Sequence, residues 1–175
     1  MSPQRSLAGH AWRAALATLA LSAATAVTAW VVGDGDELRE QLRFRFDGPT
    51  REPRDALESA ATNMRLAAAA LVAAWVVGTN RRLRPPLDVT LALVLLLNTT
   101  AVGIALGAHG PRLLIEVAPH GPLELTAFSL AGGAYLTARA GGLGAGRLAV
   151  AAGVAVVLVA AGAAVETYVQ IGADR

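Results

Sequence analysis

The 175-residue chain is 54% hydrophobic and only 16% charged, whereas a soluble domain carries about 25% charged residues. Its formal charge of +2 and pI of about 9.9 come from arginines in short clusters with no nucleic-acid motif among them, so no nucleic-acid partner is expected. With no cysteine, disulfides and thiolate metal sites are excluded.

The apolar residues are mostly Ala, Val and Leu, in runs longer than soluble helices need, and the mean hydropathy is +0.48. At about 20 apolar residues per crossing, this predicts an all-α, polytopic membrane protein. A single membrane domain over residues 1–175 with about five transmembrane helices is expected.

Span 1 is expected over residues 11–32, with Arg5 and Arg13 at its start and Trp12 and Trp30 near its ends, where an aromatic belt would put them. Ala and Thr residues around 24–29 also fit the cleavage site of a secretory leader, but the apolar run exceeds what a leader needs and favours an uncleaved span. Residues 33–62, GDGDELREQLRFRFDGPTREPRDALESAAT, form the long polar stretch, and its acidic residues outnumber its arginines. Leu38, Leu42 and Phe46 recur at helical spacing, which predicts a short amphipathic helix before the break at Gly48-Pro49. The plain reading is a solvated loop with surface helices; the sharper one is a lid or partner-docking element.

A second helix is expected to start after Pro53 and continue into span 2, residues 64–79, with Trp75 near its far end. The loop RRLRPP then supplies three arginines, and its prolines stop the helix. Spans 3, 4 and 5 are expected over residues 87–107, 122–140 and 148–170, with AGGLGAGR (140–147) as a tight turn. Gly103-x-x-x-Gly107 and Ala149-x-x-x-Gly153 have the small-residue spacing that lets membrane helices approach closely, within the chain or in a homo-oligomer.

Arg5 and Arg13, then Arg81, Arg82 and Arg84, then Arg139 and Arg147 fall on one common side of such a five-span chain. The positive-inside rule makes that side cytoplasmic, with the amino terminus inside, the carboxyl terminus outside and residues 33–62 outside.

Polar side chains inside a span are costly and are functional candidates by default. Asn63 opens span 2, Asn98 lies within span 3, His120 and Glu124 stand at the start of span 4, and Glu166 ends span 5. This topology carries all of them toward the outer leaflet. Each has a plainer reading. Glu124 suits the positive end of a helix opened at Gly121-Pro122, His120 suits the membrane interface, and Asn98 suits a hydrogen bond to a neighbouring helix. Glu166 is harder to explain, because the dipole at a helix carboxyl end disfavours an anion. If the helix begins near Ala118 instead, His120 and Glu124 share a face, and with Glu166 could bind a divalent metal such as zinc. An ion pair between His120 and a glutamate is equally open. No P-loop, Ser/His/Asp set or H-E-x-x-H accompanies them, so the chain offers no evident catalytic set.

VAPHGPLELTAFSLAGGAYL (117–136) resembles the signature of the stage II sporulation protein M family, in which Pro-His-Gly, two further residues and Glu lead into the penultimate span. LLLNTTAVGIALG (95–107) resembles the family's Asn-containing apolar helix followed by glycines. AAGAAVETYVQ (160–170) resembles its ending, and ATNMRLAAAALVAA (61–74) its opening of the second span. The chain departs from the pattern in having Thr after Asn98, Thr before Asn63, and no Pro after Glu166.

The resemblance implies a multi-span membrane protein whose namesake works, in spore formers, in a complex that recruits peptidoglycan-degrading partners. The alanine- and arginine-rich composition fits a relative from a high-GC bacterium outside that setting. The expected role is therefore a scaffold or partner subunit of a cell-envelope complex in the bacterial plasma membrane. Its expected partners are the lipid bilayer, membrane or envelope proteins, and a second copy of the chain. The competing expectation is a metal-, proton- or solute-binding protein, for transport or hydrolysis, built on His120, Glu124, Glu166 and Asn98.

Overall fold

A computed structural model describes residues 6–32 and 52–169. The amphipathic helix expected around Leu38, Leu42 and Phe46 lies outside the described residues.

Those residues form six α-helices and one 3₁₀ turn, with no strand among them. They are α1 (Leu7–Val32), α2 (Pro53–Thr79), α3 (Arg84–His109), α4 (Pro111–Val117), α5 (Gly121–Arg139) and α6 (Ala145–Tyr168), with the 3₁₀ turn at Arg81–Leu83. α1, α2, α6 and α3 with its preceding 3₁₀ turn are each long and apolar enough to cross a membrane. α2 is one continuous helix from Pro53, so the expected run-in at residues 54–63 and span 2 are the same element. The prolines of RRLRPP do more than end α2. They occupy the first turn of α3, where a missing N–H costs nothing because no helical carbonyl precedes it. Gly110, at φ +59°, breaks α3 from the short α4 in a backbone region that favours glycine.

Contacts between helices fix their directions. A Cβ on Gly103 would lie 2.5 Å from Thr25 Cβ and 2.7 Å from the Ser22 carbonyl, and one on Gly107 would lie 2.6 Å from the Ala26 carbonyl. Both positions advance together, so α1 and α3 run parallel. Gly133 faces the Ala11 backbone, and His10 meets Thr137, so α5 runs antiparallel to α1. Ser59 and Asn63 near the start of α2 reach the end of α6 and the start of α5, respectively. The five long helices therefore alternate in direction. One end of the bundle gathers the ends of α1, α3 and α6 with the starts of α2 and α5.

The interior is built from small residues: Ala67, Ala73, Ala74, Ala127, Ala131, Ala134, Ala151 and Ala155 are buried. Large side chains point outward, Leu93, Leu97, Val102, Val150 and Val157 among them. This reverses the soluble pattern, and the physics of lipid explains why. Leu gains nothing by leaving lipid, so helices associate through close packing of small residues instead. Trp12, Trp30 and Trp75 are all exposed, near helix ends. Trp12 and Trp30, 18 residues apart, are separated by about 27 Å of helix, close to the hydrocarbon thickness of about 30 Å.

α5, of 19 residues, is not among the helices apolar enough to cross by composition. It carries Glu124, Thr126, Ser129, Thr137 and Arg139, yet Ala127, Ser129, Ala131, Gly133, Ala134 and Thr137 are buried. It packs against α1, α2 and α6, and that sheath of neighbours lets a polar sequence sit at the bundle centre.

Of the two small-residue pairs, Gly103 and Gly107 make the close α1–α3 contact just described. Ala149 and Gly153 do not pack against the other described helices. Both are exposed, and a Cβ on Gly153 would meet nothing within 4 Å. The packed row of α6 is Ala151, Ala155 and Val159, offset by two residues, because neighbouring bulk, not spacing alone, selects the face.

Candidate functional site

The polar residues that α2, α5 and α6 bring to one end of the bundle form a single cluster. α5 starts at Gly121-Pro122 with His120 as its N-cap residue, so the proline-opened helix is the one formed. His120 itself has helical backbone angles, and its carbonyl accepts from the Glu124 amide at 3.2 Å. The i, i+4 relation therefore holds as well, and the two side chains share a face. Glu166 approaches from the last turn of α6. His120, Glu124 and Glu166 each offer a ligand atom within 4.8 Å of the others.

Neutral donors hold the two carboxylates. The Asn63 amide donates to Glu124 Oε1 at 2.5 Å, and the Ser59 hydroxyl donates to Glu166 Oε2. Ser59 and Asn63 are one helical turn apart on α2, so one helix face addresses both acids. Gly162, one turn before Glu166, makes the approach possible. A Cβ there would stand 3.1 Å from Glu124 Cγ, so the bare backbone leaves a notch across which the Glu124 side chain lies. Among the described residues, neither carboxylate pairs with an arginine.

Asn98 stands apart from this set. It is exposed on α3, and its amide donates to the Val94 carbonyl of its own helix at 2.8 Å. α3 leans on α1, with a lesser contact to α2, so depth in the membrane did not bring Asn98 to the cluster. The neighbouring Thr99 is the buried residue, and its hydroxyl bonds the Leu95 carbonyl at 2.7 Å.

The opposite end holds polar contacts that the sequence alone did not single out. Asp88 at the start of α3 accepts from the Tyr135 hydroxyl at 2.7 Å and from Arg139 Nε at 3.0 Å, both at the end of α5. Buried His10 places Nδ1 3.0 Å from Thr137 Oγ1, whose hydroxyl donates to the Gly133 carbonyl at 2.7 Å. With its proton committed to that carbonyl, Thr137 accepts from His10 Nδ1–H.

Charge divides between the two ends. Among the described residues, Arg13, Arg81, Arg82, Arg84, Arg139 and Arg147 lie toward the end holding Asp88. Glu52, Asp55, Glu58, Glu116, Glu124 and Glu166 lie toward the end holding His120, where they outnumber the described arginines Arg54, Arg65 and Arg112.

The model of the family described as Stage II sporulation protein M matches residues 15–170. No curated protein and no solved structure matches the chain. The matched region takes in Asn63, His120, Glu124 and Glu166 together with all five long helices, apart from the first turns of α1.

Proposed function

The chain belongs to the stage II sporulation protein M family, and from that premise we propose that it is a five-span subunit of the bacterial plasma membrane that anchors cell-envelope proteins at its extracytoplasmic end. The division of charge is the observation that carries this reading. An arginine-rich end facing the cytoplasm obeys the positive-inside rule and puts the amino terminus inside and the carboxyl terminus outside. The acidic end, with the His120 cluster and residues 33–62, then faces the envelope. α5 serves as the fifth span, since its 19 residues cover about 28 Å and its two ends meet opposite ends of the bundle.

Photo-crosslinking residues test the anchoring role. Placed at Glu116 or Pro122, both exposed at the outer end, they should capture envelope proteins in living cells; at Arg147 they should not. Crosslinks to lipid alone from every position would contradict the role.

A second reading is favoured by the convergence of His120, Glu124 and Glu166 within 4.8 Å. On this reading the outer end binds a cation or small solute.

A further inference from the structure

We infer that His120, Glu124 and Glu166 form a binding site for one divalent transition-metal ion of the zinc class, with Asn63 and Ser59 orienting the ligands. The inference deepens the second reading of the outer cluster and does not depend on the anchoring role.

The charge balance of the site suits a divalent ion. Two carboxylates whose oxygens approach within 4.8 Å of each other repel strongly at the edge of a low-dielectric region. The groups that hold them, Asn63 and Ser59, are neutral, and no arginine among the described residues pairs with either. A protonated His120 would leave the trio with one net negative charge. A divalent ion with neutral His120 brings the three ligands and the ion to zero, the arrangement a membrane-embedded site tolerates best.

Ligand chemistry narrows the ion. An imidazole nitrogen beside two carboxylate oxygens suits zinc and its first-row neighbours better than magnesium or calcium, which favour all-oxygen shells. Three protein ligands leave a fourth position open for water or a group from outside. Tetrahedral bonds of about 2.0–2.2 Å set ligand atoms about 3.4 Å apart, so side-chain rotation of roughly 1 Å closes the set around an ion.

The surroundings are those of a supported metal site. Ligating carboxylates are typically fixed by hydrogen bonds from outside the ligand set. Asn63 and Ser59 supply one such bond to each glutamate, both from α2. Gly162 supplies the space: its missing Cβ, which would stand 3.1 Å from Glu124 Cγ, lets a side chain from α5 lie against α6. A bound ion would thereby tie α5 to α6 directly and both to α2 through the orienting bonds.

The test uses the full chain in detergent, stripped with chelator and titrated with zinc alone by calorimetry, with metal content measured after desalting. Wild type should bind one zinc per chain, with affinity falling on acidification as protons compete for the ligands. His120→Ala and Glu166→Gln should each weaken binding at least tenfold, and Gly162→Ala, which removes no ligand, should weaken it measurably. Asn98→Ala should bind as wild type does. Glu166→Gln, at an exposed helix end, keeps the test decisive if His120→Ala does not fold. Failure of folded wild type to bind zinc stoichiometrically, or undiminished binding by Glu166→Gln, would overturn the inference. Neither result bears on the crosslinks from Glu116 and Pro122, so the site and the anchoring role fail separately.

Discussion

Asn63 on α2 donates its side-chain amide to Glu124 Oε1 on α5 at 2.5 Å, across 61 residues of sequence. This bond makes α2 part of the His120 cluster, because it satisfies a half-buried carboxylate that has no arginine partner among the described residues.

Replacing Asn63 by Ala should therefore destabilise the bundle by about 1–2 kcal/mol, between the modest average for hydrogen bonds in membranes and the larger value for bonds to charged groups. Asn63→Asp should cost more, since it adds a third carboxylate to the trio. Thermal unfolding in detergent reads both. Acidification should narrow both deficits, the Asp one more, because protons relieve the repulsion and also take the charge from the carboxylate that Asn63 holds.

Gly103 and Gly107 should tolerate no side chain. The atoms a Cβ would strike include the Ser22 and Ala26 carbonyls of α1, which are backbone and cannot turn aside. Gly103→Ala and Gly107→Ala should each cost about 1–3 kcal/mol as α1 and α3 are forced apart. Gly153→Ala, with open space around it, should stay within about 0.5 kcal/mol of wild type. Equal losses at Gly103 and Gly153, measured by unfolding in the same detergent, would refute the assigned packing.

The contacts of Asp88 at the other end should divide unequally. Tyr135 is buried, so Tyr135→Phe, which removes its 2.7 Å bond to Asp88, should cost about 1 kcal/mol. The Arg139–Asp88 pair has side chains 50% and 34% exposed, so Arg139→Ala should cost less, about 0.5 kcal/mol, and the loss should shrink in high salt. Unfolding curves at low and high salt check both the order and the salt response.

The natural absence of cysteine makes the orientation directly readable. A cysteine at Ala118, an exposed position beside His120, should react with a membrane-impermeant maleimide in intact cells. One at Arg82 should react only after permeabilisation. The reverse pattern would invert the topology.

Hydropathy and arginine placement carried the helical class and the approximate helix positions, because both follow from the cost of exposing backbone and charge to lipid. The spacing of His120 and Glu124, with the alternation of spans, was enough to bring Glu166 to them. Sequence depth could not say which neighbour a helix leans on. Asn98 thus faces outward on α3, and Ala149 and Gly153 lie on the unpacked face of α6. Ser59 was not visible, since a serine 107 residues from its partner carries no local signal. His10 carried no signal in the sequence either, and only the antiparallel α1–α5 contact reveals Thr137 as a partner.

The joining of α2, α5 and α6 at one polar end is tested most directly by the double variant Ser59→Cys with Glu166→Cys, with a protease site inserted at the Gly141–Gly144 turn. After mild oxidation of native membranes and cleavage, the fragments carrying α2 and α6 should remain linked on a non-reducing gel and separate on reduction. Fragments that separate without reductant would contradict the cluster.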